Sequence, residues 1–452
     1  MRSSTARQFV ATRPRSNYTV LARSKSRGRD ASPAVAARRV SIPWLPIALT
    51  LALLITAAFA VDPIRDAATG GAVDEVRLAL PASYLLIAPL SSIFDTITLL
   101  AVGTHIALLV WALGVFALVR VLRARRRATT VRCEVKAAGW MLLGIFAVYA
   151  AALMLPRPMA QLTTSDSAVM AVDFHSHTKY SHDGRFDWTE DDVRAWYRGA
   201  GFNAAYITDH RTYEGAERGI ASNAGQADEN VTLLQGIEAF YKGEHVNVLS
   251  AGRRFRGILN DSLKDVDVDA LRMASIIPAA APTLIETMPG KLDVVRTIAA
   301  TDTSPGISAI ELVDGSPRGL SQTRRERNRI IHLADSLNLA LVTGSDNHGW
   351  GYAAAGWTLL RMPGWRGMRT DSLSNRIEQV VHFGRRRGTR VVERVVTGNS
   401  FLELVLAGPM ILWRMFATLS SDERVAWIIW VWALFALSRT LKRVRVRPSA
   451  AG

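Results

Sequence analysis

Cysteine is almost missing from this chain: Cys133 is the only one in 452 residues. A single thiol excludes an intrachain disulfide and any zinc site built on thiolates, and Cys133 reads as an inert thiol in a basic loop. Acidic residues are also scarce, 39 against 55 Lys and Arg, for a net charge of +16. Charge is absent from 41–61, 96–119 and 137–156, and each run is close to the roughly 20 residues that a hydrocarbon core requires. Three such runs in close succession read as membrane spans rather than as buried core helices.

The basic excess is segregated. Residues 1–40 carry ten Lys or Arg against one acid, 120–137 seven against one and 439–452 five against none, whereas 157–400 is balanced at 29 against 29. A nucleic-acid binder needs its basic residues clustered on a folded domain, and here the large domain is neutral, so no nucleic-acid partner is expected. The same bias orients a membrane protein, because short cytoplasmic segments hold the surplus of Lys and Arg. Four spans, 41–61, 96–119, 137–156 and 424–441, place all three basic segments in the cytoplasm. The fourth is the run VAWIIWVWALFALS, with Arg424 and Arg439 at its ends to snorkel.

Segment 401–418, interrupted by Glu403 and Arg414, reads as an interfacial helix. Were it a span, it would form a hairpin with 424–441 and put the basic tail outside, against the charge rule. Ala58-Phe59-Ala60 resembles a signal-peptidase site, although a basic leader of 40 residues is long for a signal peptide. The expected organisation is a basic disordered tail (1–40), a membrane domain (41–156), a large domain (157–400), the interfacial helix, a last span and a basic tail (442–452). Such a protein is multi-pass in the inner (cytoplasmic) membrane, with the lipid bilayer as partner and the large domain on the extracytoplasmic side.

Six of the nine histidines lie in four short clusters of that large domain, each after a strand-like run. AVMAVDFHSHTKYSHDG delivers His175, His177, His182 and Asp183. Alternation along a strand puts His175 and His177 on one face, able to share a metal. FNAAYITDH ends in Asp209 and His210. VTLLQGIEAFYKGEHVNVL carries Glu238 and His245, seven apart as two neighbouring strands would place them. LALVTGSDNHG ends in Asp346 and His348. Polar, metal-competent residues at the ends of successive apolar strands, with helical stretches at 188–200 and 323–338 between, describe an α/β barrel with its site at the strand C-termini. His332 and His382, on helix-like stretches, and His105, in the second span, lack carboxylate companions and read as structural.

In order, DFHSHTKYSHDG, AAYITDH, GIEAFYKGEHVNVL and TGSDNHG resemble the four motifs of the polymerase and histidinol phosphatase (PHP) superfamily of metal-dependent phosphoesterases, over about 166–360. The resemblance implies a distorted (βα)7 barrel, flanked here by transmembrane helices, with two to three divalent ions of Zn, Mn or Fe. It implies that His175, His177, Glu238 and Asp346 hold the first metal, and that Glu238 bridges to a second held by His245. A third would take Asp183, His210 and His348, with Asp209 beside it and His182 interchangeable with Asp183. Asp209 and His210 are the implied catalytic residues.

One departure stands out. A further histidine ligand, often followed by Pro-Gly, is expected for the second metal, and the run TLIETMPG has Met288 there, a poor ligand for such ions; water, substrate or a carboxylate such as Glu286 would complete that metal instead. The residue types suit in-line attack of a metal-activated hydroxide on a phosphomonoester or phosphodiester, and Arg211, Lys242, Arg253 and Arg254 are candidate phosphate contacts. The alternatives are a metal-dependent hydrolase of an amide, ester or lactone, and a non-catalytic metal-binding membrane sensor.

Overall fold

A computed structural model describes residues 42–125, 130–241, 244–249, 282–300, 306–396, 398 and 400–445, and the unit described below begins at Trp44. It is mixed α/β. Its strands in chain order are β1 (Ile64–Asp66), β2 (Val76–Ala79), β3 (Gln161–Thr164), β4 (Val169–Asp173), β5 (Ala204–Ile207) and β6 (Thr232–Tyr241). There follow β7 (Glu244–Leu249), β8 (Thr283–Thr287), β9 (Ile307–Asp314), β10 (Ala340–Gly344), β11 (Gly356–Arg361) and β12 (Thr389–Arg394). Ten of them form one sheet in the order β1-β12-β11-β4-β5-β6-β7-β8-β9-β10, while β2 pairs with β3.

The ten-stranded sheet is curled. Its last strand, β10, comes back to β4: Phe174 N–H donates to Thr343 O at 3.2 Å, Asp346 N–H donates to His175 O at 3.0 Å, and Ser176 bridges Asn347 in parallel. Helices separate β4 from β5 (Glu190–Ala200), β5 from β6 (Glu214–Ala221), β8 from β9 (Leu292–Ile298) and β9 from β10 (Arg324–Leu337), and these four connections join parallel strands. Between β6 and β7 the strict strand–helix alternation gives way to an antiparallel hairpin.

Local sequence explains the helix ends. Thr189 and Thr323 each accept from the third helical N–H while Asp192 and Glu326 reach back to them, reciprocal caps that remove two orphan donors at each terminus. Gly201 and Asn338, both at positive φ, close the C-termini. The concave face of the sheet wraps the helix Thr370–Gly388, whose Leu373, Ile377 and Val381 sit fully buried among Met170, Val172, Tyr206, Ile285 and Val342. Each such side chain contributes roughly 1.5–3 kcal/mol by leaving water.

Three helices, Val102–Ala124, Val131–Met154 and Ser421–Leu441, are long and apolar enough to cross a membrane. The helix over the first apolar run, Trp44–Ala57, has 14 residues, or about 21 Å of rise, less than a hydrocarbon core of about 30 Å. Segment 401–418 forms two short helices, Phe401–Val405 and Ala407–Ala417. They lie against Val102–Ala124, where Trp111 Nε1 donates to Val405 O at 2.8 Å. Arg424 is buried and donates to Leu53 O, Leu419 O and Ala417 O, carbonyls in or just after two neighbouring helices, where a cation is favoured.

Strand β1 belongs to the connection between the first two apolar runs, yet it extends the large sheet by pairing with β12, Ile64 opposite Arg394. That pairing ties the segment 62–95 to the large domain.

Candidate metal centre

The C-terminal ends of β4, β5, β6 and β10 bring the four histidine clusters to one place. His175 Nε2 and His177 Nε2 lie 3.1 Å apart. Glu238 Oε2 is 2.9 Å from the first and 3.2 Å from the second, and Asp346 Oδ1 is 3.4 and 3.2 Å from them. Two nitrogens and two carboxylate oxygens thus form a cage with edges of 2.9–3.4 Å. Ligands about 2.0–2.1 Å from a tetrahedral ion would stand about 3.3 Å apart, so these residues fit a divalent metal.

Two further groupings adjoin the cage. His210 Nε2 is 3.3 Å from Glu238 Oε2, and His245 Nδ1 contacts Glu238 Oε1. The hairpin register explains this: His245 stands opposite Phe240, two residues beyond Glu238, so both side chains share one face. Asp183 Oδ2 lies 3.2 Å from His348 Nε2 and 3.5 Å from His210 Nε2. His348 Nδ1 faces Asp346 O at 2.9 Å, which turns Nε2 towards Asp183. His182 is 56% exposed, with Nδ1 3.9 Å from Asp183 Oδ1.

Asp209 is fully buried but stands outside these groupings. Its two oxygens accept from Thr178 N–H and Thr178 Oγ1, both at 2.6 Å, so it fastens the loop after β4 rather than facing the cage. Met288 adopts φ 39°, in the left-handed region, and its sulfur is 4.0 Å from Gln322 Nε2. Glu286 is also outside these groupings and buried, with no hydrogen-bond partner for either oxygen among the described residues. Arg211 follows His210, exposed, at φ 64°, while Lys242, Arg253 and Arg254 fall outside the described residues. His105 meets Tyr149 OH at 3.0 Å and His382 meets Ser308 Oγ at 3.4 Å, both away from the centre.

Three carboxylates beneath the cage were not anticipated. Glu311 Oε1 on β9 contacts His175 Nδ1 at 2.9 Å, orienting Nε2 into the cage, and Asp314 joins the same buried group. Gly344 permits that approach, since a Cβ there would stand 2.3 Å from Glu311 Oε1. Asp173 accepts from Tyr197 OH at 2.6 Å and Ser345 N–H at 2.9 Å, bracing β4 against β10. A charged residue inside an otherwise apolar strand, as in ISAIELVD, was the available signal.

The electrostatics describe a set of donors that share protons. Burial lowers the proton affinity of His177, but hydrogen bonds to Asp346 and Glu238 overcome it and push its pKa up to about 10. His175 is raised well above its ordinary value: burial opposes the charged form, and Glu238, Glu311 and Asp346 outweigh it. Burial would raise Glu238 and Asp346, yet the adjacent imidazoles hold both well below the usual carboxylate range. Glu311 is pushed up by burial to about 8. A divalent cation would take the place of those imidazole protons.

No family model matches the chain, and no curated protein matches it. Part of the chain is similar to solved structures. PsfC from Pseudomonas syringae is 16% identical with a TM-score of 0.34, the match covering 54% of this chain and 98% of that one. A two-domain protein from Bacteroides vulgatus, containing a predicted PHP-like metal-dependent phosphoesterase, is 15% identical with a TM-score of 0.27, covering 50% and 65%. The lesion-specific endonuclease PfuEndoQ from Pyrococcus furiosus is 14% identical with a TM-score of 0.34, covering 48% and 56%. Similarities this low carry no assignment, and the case for a metal rests on the donor geometry of the chain itself.

Proposed function

We propose that this protein is a membrane-tethered, metal-dependent phosphoesterase whose barrel is of the PHP type. The observation that carries the reading is the four-atom cage of His175, His177, Glu238 and Asp346, with Asp183, His210, His245 and His348 against it. His175, His177, Glu238 and Asp346 would hold one ion, Glu238 with His245 a second, and Asp183 with His210 and His348 a third. When bound, divalent ions supply Lewis-acid polarisation of a phosphoryl oxygen and acidify water.

The chain's own residues do the rest. Glu311 and the Asp346 carbonyl set which nitrogens of His175 and His348 face inward. Asp209 positions the loop after β4 through Thr178, and His210 Nε2 stands at the junction of Asp183 and Glu238. The exposed Arg211 beside it is the described cation nearest in sequence for an anionic ester.

Topology follows the charge bias: four spans with the basic segments in the cytoplasm and residues 157–400 outside. The pairing of β1 with β12 supports one side for 62–95 and 157–400. The short Trp44–Ala57 helix would span with local thinning of the bilayer. The purified full chain with Mn²⁺ should hydrolyse aryl phosphates or phosphodiesters; turnover of carboxylic esters alone would transfer the assignment to the other hydrolase class. A reporter active only outside the cytoplasm, fused after residue 157, should give signal, and silence would reverse the orientation.

A further inference from the structure

The metal centre and the apolar helices meet at the same pole of the sheet. β12 runs parallel to β4, because each is antiparallel to β11, so its C-terminal end lies on the ligand side. There Arg394 reaches Asp95 at 3.0 Å and Val395 N–H donates to Pro63 O at 2.9 Å, the points where the chain passes to the apolar helices. The loop that follows the ligands Asp346 and His348 makes further contacts. Gly351 N–H donates to Leu153 O, in the last turn of Val131–Met154, at 2.8 Å, and a Cβ on Gly351 would stand 2.4 Å from Thr98 Cγ2. Tyr352 lies under the Arg157 guanidinium, which also binds Ala152 O at 3.0 Å. After β9, Ser321 Oγ accepts from Val102 N–H, the first residue of Val102–Ala124, at 3.1 Å.

The rim of the centre carries two outward-facing aromatic side chains. Phe186, three residues after the ligand Asp183, is 87% exposed, and Trp350, two after His348, is 47% exposed. Arg185 joins the two loops: its N–H donates to His348 O at 3.0 Å, its Nη1 to Gly349 O at 2.6 Å, and its guanidinium covers the Trp350 ring at 5.7 Å. Aromatic rings beside cations are the composition of a membrane–water interface. The exposed Arg211 and Lys179 stand next to ligand-bearing segments and suit the phosphates of that surface.

We propose that the metal centre opens onto the bilayer surface and acts on a phosphate ester carried by a membrane lipid, an inference that rests on the phosphoesterase reading above. The hydrolysis forms a bond from a water oxygen to phosphorus and breaks the ester P–O bond; one water proton goes to the leaving alcohol oxygen and the other remains on, or leaves, the phosphate product. A soluble ester has no need of a centre at this pole, whereas a lipid headgroup is delivered there by diffusion in two dimensions.

The test uses the full chain in Mn²⁺-containing vesicles of phosphatidylethanolamine. Phosphatidic acid and phosphatidylglycerol embedded there are compared with glycerol 3-phosphate and glycerophosphoglycerol, the same esters without acyl chains. The lipid forms should show a kcat/KM at least about tenfold higher, as expected where remote binding energy is used in the transition state. Equal or faster turnover of the deacylated esters overturns the lipid inference and leaves the phosphoesterase reading standing. Hydrolysis of none of the four overturns the lipid inference, and failure on aryl phosphates as well overturns the phosphoesterase reading.

A second measurement is independent of activity. In a Cys133→Ser background, a nitroxide on Phe186→Cys should show an oxygen-to-nickel accessibility ratio about threefold or more above one on Arg361→Cys, at the opposite end of the sheet, because oxygen partitions into lipid. Equal ratios at the two positions overturn the proposal.

Discussion

Two sets of carboxylate partners lie at the ligand end of the sheet, and they are neutralised in different ways. Asp95, next to the apolar helices, sits between Arg157 at 2.9 Å and Arg394 at 3.0 Å, with Tyr84 OH at 3.2 Å. Glu238, Asp346 and Asp183 meet only imidazoles among their described ion pairs. A guanidinium stays charged at every working pH, so the first cluster is permanently satisfied and acts as a brace. An imidazole is charged only while it holds a proton, so the second cluster is satisfied either by protons or by a cation. That exchangeability suits one set to a metal ion and the other to a structural joint.

The comparison breaks most visibly if a cage residue proves dispensable. His175→Ala and Asp346→Asn should lower hydrolysis by on the order of 10³-fold or more and remove bound metal; full metal content by elemental analysis in either variant would refute the ligand set. At the brace, Asp95→Ala leaves two guanidiniums uncompensated and should cost about 3–5 kcal/mol of stability. Thermal unfolding in detergent would show it. Metal affinity in that variant should be unchanged, and a parallel loss would mean that the two clusters are one system.

A finer test is Glu311→Gln, which weakens the orientation of His175 and should reduce metal affinity about 10–100-fold, read by competition with a fluorescent chelator. The smallest effect is the response to pH. In the metal-free fold, against the effect of burial, the hydrogen bonds to Asp346 and Glu238 push His177 up to about 10 from its ordinary value of 6.5. A raised pKa stabilises the metal-free protein fully below about 6.5, and that contribution is lost as pH rises through 10. Metal binding displaces the same proton, so affinity should increase with pH across this window. Calorimetry in buffers of different ionisation enthalpy should detect proton release near pH 7, and none would show that His177 is neutral before metal arrives.

Much of the centre was legible in the chain because each cluster is local. Residues i and i+2 at the end of an apolar strand share a face whatever the rest of the fold does, which places His175 beside His177; the seven-residue spacing of Glu238 and His245 suits a hairpin. The caps at Thr189 and Thr323 were equally local. Glu311 was not legible: its contact with His175 spans 136 residues and depends on β10 closing back on β4. The addition of β1 to β12 was hidden for the same reason, since three residues of strand carry no signal of their partner.

The sequence by itself determined which donors this protein owns, where its apolar runs lie and how its charge is distributed, because residue type, strand alternation and charge counting need no partner. Only the tertiary structure decided that the donors converge into one cage, that Glu311 stands behind His175, and that the centre shares a pole with the apolar helices. Those facts depend on strand order and sheet curvature, which arise from non-local pairing and are not encoded in any one segment.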